Sequence, residues 1–525
     1  MKREDLLAPE VYNLVEEVER FAQNPEAVAI KWEDEQGNKD EITYANLMKR
    51  VNRIGNALLK AGLTKGDKAI IMVPRLIDAY AIYLGCLKAG IAVSPGSEML
   101  REKDIRYRLT HGGMKAVISI DSLVDEFNHI NDIDFSKFVI GKKVEGWQYL
   151  DELEAAASDE LVKADTKADD MAFLSYTSGT TGNPKGVVHT HGWGYAHLRT
   201  AASGWLGIKQ GDIVWATAAP GWQKWIWSPF VSVLGSGATG FVYHGKFDAN
   251  KYLQLLQDYN VNVLCCTPTE YRVMAKVENL NDYNLPNLRS AVSAGEPLNR
   301  EVIETFRKYF NITVRDGYGQ TENTLLVGVL EGMEVKPGSM GKPTPGNRVD
   351  IVNEDGEPCA VGEVGDIAVH RETPALFKNY YKDPERTAMQ FRGDWYITGD
   401  RAKKDEDGYF WFEGRGDDII ISSGYTIGPF EVEDALVKHS AVKECAVVAS
   451  PDEVRGSIVK AFVVLRDGVD KNRDGLVKEL QDHVKELTAP YKYPRAIEFI
   501  DELPKTTSGK IRRVELRQQE LAKKA

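Results

Sequence analysis

The sequence predicts an α/β protein: a large N-terminal domain of layered α/β subdomains with a small β-rich subdomain, then a small α+β domain. Three observations predict it. Short β-rich runs alternate with helical stretches from Ile42 to Tyr309, the rhythm of parallel sheets with helices packed on them. Turn residues crowd the chain after Gly338, and a further mixed unit begins near Asp418. At 525 residues the chain is also too long for one simple domain.

The elements follow in order. Residues 42–62 carry an amphipathic helical pattern with a glycine stop. Residues 67–72 form a short strand closed by Pro74, 79–89 a helix, and 91–94 a strand. The pattern recurs with strands at 213–216, 261–267 and 288–293 and helices at 251–259 and 300–309. Beyond Gly338, Pro343, Pro345, Gly346, Gly356, Gly362 and Gly365 punctuate short strands, as in a small β-barrel or β-rich subdomain. Asp407-Gly408 predicts a hairpin. In the last unit, 445–449, 459–465 and 496–500 read as strands. Leu476, Leu480, Val484 and Leu487 share one helical face that stops at Ala489-Pro490.

Composition narrows the function classes. Lys and Arg number 66 against 78 Asp and Glu, a net charge of −12, which argues against a nucleic-acid coat. Small anionic ligands remain compatible, because loops and helix N-termini hold phosphate whatever the net charge. Apolar runs such as 69–73 fall far short of the ~20 residues of a membrane span. The start Met1-Lys2-Arg3-Glu4-Asp5 has no apolar signal segment. Cys86, Cys265, Cys266, Cys359 and Cys445 form no Cys-x-x-Cys pair, so buried thiols and a reducing, cytoplasmic location are expected.

Five segments carry chemistry. Tyr176-Thr177-Ser178-Gly179-Thr180-Thr181-Gly182-Asn183-Pro184-Lys185-Gly186 follows an apolar strand. Its hydroxyls, unobstructed backbone N–H groups and Lys185 suit a polyphosphate, but it lacks the Gly-Lys-Ser/Thr ending of a P-loop. In Asp316-Gly317-Tyr318-Gly319-Gln320-Thr321-Glu322 the glycines admit a flat ligand and Tyr318 offers a ring. Thr321 can donate to a phosphate, and Glu322 can bind Mg²⁺. Gly295-Glu296-Pro297 and Thr398-Gly399-Asp400 end predicted strands alike, with Asp400 placed to accept from ribose hydroxyls. Pro504-Lys505-Thr506-Thr507-Ser508-Gly509-Lys510 is a polar loop carrying cations; read alone, it is equally a solvated basic stretch.

With Gly414–Glu433, these segments stand in the order and spacing of the acyl-adenylate-forming enzymes, a likeness covering nearly the whole chain. Among them the sequence most resembles the medium-chain and branched-chain acyl-CoA synthetases, through Asp316–Glu322, Ser422-Ser423-Gly424-Tyr425 and Tyr491-Lys492-Tyr493-Pro494. The resemblance implies a large AMP-binding domain over residues 1–416 and a small mobile lid over 417–525, hinged at Asp417. It implies ATP and CoA as co-substrates, Mg²⁺, and a short, medium or branched carboxylic acid activated through an acyl-adenylate.

It also implies roles. The loop from Thr177 to Lys185 would clasp the β- and γ-phosphates. Gly295, Glu296, Pro297 and Asp316, Gly317, Tyr318, with Gly319 and Gln320, would bound the nucleotide. Thr321 would hold the α-phosphate, Glu322 the Mg²⁺, Asp400 and Arg415 the ribose. Lys510 would bridge carboxylate and α-phosphate, and acetylation by a lysine acetyltransferase would neutralise it. Ser423, Gly424 and Tyr425 would line the CoA tunnel, with Arg455, Lys485 and Tyr493 at the CoA nucleotide. Thr426 departs from the Arg that relatives often carry there. Gly319 replaces the Trp of acetate-specific relatives and so would open acyl depth. The cluster Trp222, Trp225 and Trp227 reads either as the pocket boundary or as ordinary packing. An adenylation enzyme loading a carrier-protein thiol is the alternative function.

Overall fold

The structure is a computed structural model. It describes every residue except 178–182, 297, 423–424, 453–454, 489, 507–509 and 524–525, and at 425 and 426 it describes the backbone.

Two sheets build the large N-terminal part. The first orders Lys68–Met72 at its centre, flanked by Ala92–Pro95 and Ala116–Ile120 in parallel register. On one side the hairpin Met171–Thr177/Lys185–Thr190 continues it, with Thr177 facing Lys185 at the tip. Helix Tyr44–Lys60 packs on this layer. Thr43 caps it by accepting from the Asn46 N–H at 3.2 Å, and Leu47, Val51, Ile54 and Leu58 turn one apolar stripe inward. It crosses helix Ile77–Lys88 at two glycines. A Cβ on Gly85 would lie 2.9 Å from Ile54 Cγ2 and 3.2 Å from the Val51 carbonyl, so a larger residue would force the helices apart.

The second sheet has a parallel core ordered Val314–Tyr318, Ser290–Ala294, Val263–Cys266, Ile213–Ala216, Thr239–His244 and Val28–Asp34. The turn-dense segment after Gly338 does not close into a barrel. Val327–Gly328 joins it antiparallel to Val314–Tyr318, Ser339–Pro343 pairs antiparallel to Val327–Gly328, and the path runs on through Phe410–Arg415, Trp395–Lys404 and Gly365–His370 to Val349–Val352. Its inner edge is satisfied by the larger sheet, so closure is not needed to cover it. The hairpin at Asp407-Gly408 forms as expected, with Asp405 accepting from the N–H groups of Asp407 and Tyr409.

The C-terminal part is α+β. Val442–Asp452 and Gly456–Leu465 form a hairpin, Ala496–Phe499 adds in parallel, and helices Pro429–Val437, Leu476–Leu487 and Arg513–Ala522 cover it. Leu476, Leu480 and Val484 are buried, whereas Leu487 is exposed. The predicted face therefore loses its last member, because the helix ends at Leu487 as it leaves the sheet. Among the described residues, no helix is long and apolar enough to cross a membrane.

Candidate active site

The predicted residues gather at the carboxyl ends of Ser290–Ala294 and Val314–Tyr318, where parallel sheets leave a crevice for ligands. Asp316 is buried, and burial pushes its carboxyl up to about 7. N–H bonds from Gly317 at 2.8 Å and Leu298 at 3.4 Å oppose that rise. Tyr318 donates its hydroxyl to Asp400 at 2.6 Å, and Gln320 Nε2 donates to the same oxygen at 2.8 Å. Burial raises the Asp400 carboxyl; those donors and the charges of Arg415 and Lys510 restrain it. Asp400 and Arg415 face each other across antiparallel strands.

Glu322 lies under the Thr177–Lys185 hairpin. It accepts from the Tyr380 hydroxyl at 2.8 Å and sits 3.7 Å from Lys185 Nζ, which itself lies 4.8 Å over the Tyr380 ring. Ser178, Gly179, Thr180, Thr181 and Gly182 lie outside the described residues, as do Pro297, Ser423 and Gly424. The Glu296 carboxylate is held by Thr269 and Arg272. Lys510 reaches in from the C-terminal part: a Cβ built on Gly295 would lie 4.0 Å from its Cε.

The remaining assignments are more dispersed. Lys485 Nζ sits 4.3 Å over the Tyr493 ring, while Arg455 lies at the hairpin turn, its N–H donating to Asp452. Asp417 is bridged by Arg415 at 3.4 Å and Arg517 at 3.3 Å, and Arg517 also pairs with Asp418.

The tryptophan cluster divides. Trp225 packs in the core: it stacks on Phe230 at 5.2 Å, tilts against Tyr80 and meets Tyr83 edge-on. Trp222 is half-buried at the entry to the short helix Gln223–Trp225. The indole that meets Gly319 is Trp227. A Cβ on Gly319 would overlap the Thr324 carbonyl oxygen and lie 2.5 Å from Trp227 Cη2. The missing side chain at Gly319 thus lets Trp227 and the Thr324 carbonyl approach closely.

Several residues escaped the sequence reading. Lys224 lies between the Trp205 and Trp227 rings and donates to Ser228 Oγ at 2.6 Å and Cys265 Sγ at 3.4 Å. His189 Nε2 meets the Thr321 carbonyl at 2.5 Å, and His197 bonds Thr324 Oγ1 and the Trp227 carbonyl. The readable signal was spacing: His189, Trp193 and His197 recur every four residues.

Burial holds these two histidines and the neighbouring His191 neutral. It pushes His189 and His191 down to about 4 and His197 to about 3, against an ordinary 6.5. Between pH 6.5 and about 4 the unfolded chain therefore takes up protons that the folded chain refuses. Stability should fall as pH drops through that window, by about 1.4 kcal/mol per pH unit for each histidine. Urea midpoints measured at pH 7, 6 and 5 check this, and His197→Gln should flatten the slope; an unchanged slope would count against it.

Two buried carboxylates on strands of one sheet, a hairpin lysine against a third and a cation delivered from the C-terminal part fit an α/β enzyme that handles an anionic ligand. A family model described as AMP-binding enzyme matches residues 18–381, and one described as AMP-binding enzyme C-terminal domain matches 431–510. The chain belongs to the AMP-binding enzyme family. It is 64% identical to the uncharacterized acyl-CoA ligase YtcI of Bacillus subtilis (strain 168), over 100% of this chain and 99% of that protein. It is 41% identical to the mitochondrial acyl-coenzyme A synthetase ACSM3 of Mus musculus, over 98% and 91%. Among solved structures it is similar to the anthranilate CoA ligase AuaEII in complex with anthranoyl-AMP, with TM-score 0.92, 28% identity and full coverage of both chains. It is also similar to a benzoate CoA ligase from Burkholderia xenovorans LB400, with TM-score 0.85 and 30% identity over 97% and 100%.

Proposed function

We propose that this chain is an ATP-dependent, AMP-forming acyl-CoA synthetase acting on a short, medium or branched carboxylic acid. The observation that carries the reading is the placement of Lys510 beside Gly295, with its charge acting on Asp400. A binding module would have no use for a cation brought into the crevice from another unit.

A free carboxylate is a poor acyl donor because oxide would have to leave. In the first step a carboxylate oxygen attacks the α-phosphorus of ATP. The bond from that phosphorus to the bridging oxygen breaks, and pyrophosphate departs with the electron pair. In the second step the CoA thiolate attacks the acyl carbon, and the carbon–oxygen bond to AMP breaks. Both steps crowd negative charge, so positioning and fixed cations dominate. Lys510 would bridge carboxylate and α-phosphate. Thr321 would hold the α-phosphate, Asp400 and Arg415 the ribose, and Asp316, Gly317 and Tyr318 the adenine. Residues 417–525 would turn at Asp417 after adenylation and bring residues 422–427 to the CoA path.

Glu322 fits Mg²⁺: it is a buried, hard oxygen donor beside the phosphate loop, and no cluster of three metal-ligating side chains competes among the described residues. Glu322 would hold the ion together with the nucleotide's own phosphate oxygens, and the ion would neutralise charge on them. Chelation with EDTA should therefore stop acid-dependent pyrophosphate release, and excess Mg²⁺ should restore it. Glu322→Gln should raise the Mg²⁺ concentration needed for half-maximal rate about tenfold, the scale of one lost charged contact; an unaltered requirement would remove Glu322 from that role.

The test of the whole reading is a turnover panel over C2–C12, branched and aromatic acids with ATP and CoA. Thioester with AMP and pyrophosphate supports it. Adenylate formation that ignores CoA and loads a carrier-protein thiol would favour the alternative.

A further inference from the structure

A column of four rings runs beneath the segment from Gly319 to Thr324. His189 lies 4.3 Å from Trp193 between ring centroids, Trp193 stacks on His197 at 4.9 Å and 11°, and His197 meets Trp227 at 5.1 Å. Each ring holds a different part of that segment. His189 Nε2 meets the Thr321 carbonyl, Trp193 Nε1 donates to the Asn323 carbonyl at 3.0 Å, and His197 Nδ1 meets Thr324 Oγ1 at 2.7 Å. Trp227 lies against Gly319.

His197 is the junction. Its Nε2 faces the Trp227 carbonyl at 3.0 Å. A carbonyl only accepts, so Nε2 carries the proton and Nδ1 accepts from the Thr324 hydroxyl. Both ring nitrogens are thereby used, in a site with no exposed surface. One bond goes to the backbone of the indole beside Gly319. The other goes to the residue two positions after Glu322.

We propose that His197 is a positioning residue that couples the acyl-pocket wall at Trp227 to the Thr321–Glu322 segment. The acid that fills the pocket then affects how the phosphate and Mg²⁺ contacts are presented. This rests on the synthetase reading proposed above, with Thr321 and Glu322 serving the nucleotide, and takes Trp227 and Gly319, which lie against each other, as bordering the acid. A histidine that merely filled space would need its ring but neither of its hydrogen bonds.

Full-length variants separate the two. His197→Phe keeps a ring against Trp193 and loses both bonds; His197→Gln can restore one donor and one acceptor. Thr324→Val deletes only the hydroxyl and serves if the phenylalanine variant fails to fold. KM for acid and for ATP, and kcat of pyrophosphate release, are measured over C2–C8 acids and corrected for folded fraction. AMP affinity is measured by calorimetry. The expected result for His197→Phe is an acid KM raised about tenfold with a changed chain-length order, and AMP binding about tenfold weaker, the scale of one lost buried hydrogen bond. Gln should stay within about threefold of the parent on both readouts, and Thr324→Val combined with His197→Phe should be no worse than His197→Phe alone. An unchanged acid KM and chain-length order in the phenylalanine variant, or glutamine no better than phenylalanine, would overturn the proposal. If the parent turned over no acid, the synthetase reading would fall, and the AMP affinities would still decide the coupling.

Discussion

Lys510→Ala loses acyl-adenylate formation by about 10²–10³-fold and leaves thioester formation from supplied acyl-AMP running. The asymmetry follows from where the lysine stands. Its aliphatic end lies against Gly295 at the end of Ser290–Ala294, and its charge helps restrain the Asp400 carboxyl. On the proposed role, that position would serve the step in which carboxylate and α-phosphate, both anionic, must meet. The thiolate step begins after that bond has formed and has no need of the same cation. Isotope exchange between pyrophosphate and ATP reads the first half-reaction, and CoA thioester from added acyl-AMP reads the second. Equal loss in both would remove Lys510 from the adenylation role. Acetylation of the same nitrogen should act like Lys510→Gln, because both delete the charge.

Gly319→Ala should cost about 10²-fold in kcat/KM, the scale of a 1 Å displacement of a positioned group. One methyl group is a small addition, but there is no room for it. The Thr324 carbonyl oxygen occupies the site on one side and Trp227 Cη2 lies 2.5 Å away on the other. Trp227 is buried, and Thr324 is tied to His197. The compliant part is then the turn carrying Thr321 and Glu322, and moving it disturbs the phosphate contacts. Pyrophosphate release across acids of increasing length checks this. A rate within about threefold of the parent would show that the turn yields without harm, and a lost preference for longer acids alone would restrict Gly319 to acyl selection.

Much of this was legible beforehand, for physical reasons. Strand and helix periods in 42–94 and 213–309 reflect local burial, so they predicted elements within a few residues, such as Tyr44–Lys60 for 42–62 and Ser290–Ala294 for 288–293. Tyr318 and Arg415 end their strands, whereas Asp316 lies in the middle of Val314–Tyr318 and Asp400 inside Trp395–Lys404, so the strand expected to end at Asp400 runs on to Lys404. The pairing of Asp400 with Arg415 depends on antiparallel register, which no local pattern encodes. Trp225 and Trp227 could not be told apart, because two aromatics two residues apart look alike until the packing of Tyr80 and Tyr83 claims one of them. His189, Trp193 and His197 had visible spacing. Their partners lie more than a hundred residues away, so the spacing alone named no purpose.

The strand Phe410–Arg415 ends two residues before Asp417, and Arg415 is ion-paired to it. Asp417 is held from the other side by Arg517 of the last long helix. With Asp417 as the proposed pivot, the residue proposed to grip the ribose and the residue proposed to turn are two peptide units apart on one tether. Rotation of the C-terminal part would then disturb Arg415. On the proposed roles, the grip on the nucleotide and the angle of the lid would form one mechanical variable, and release of AMP would be geared to the same motion that admits the thiol.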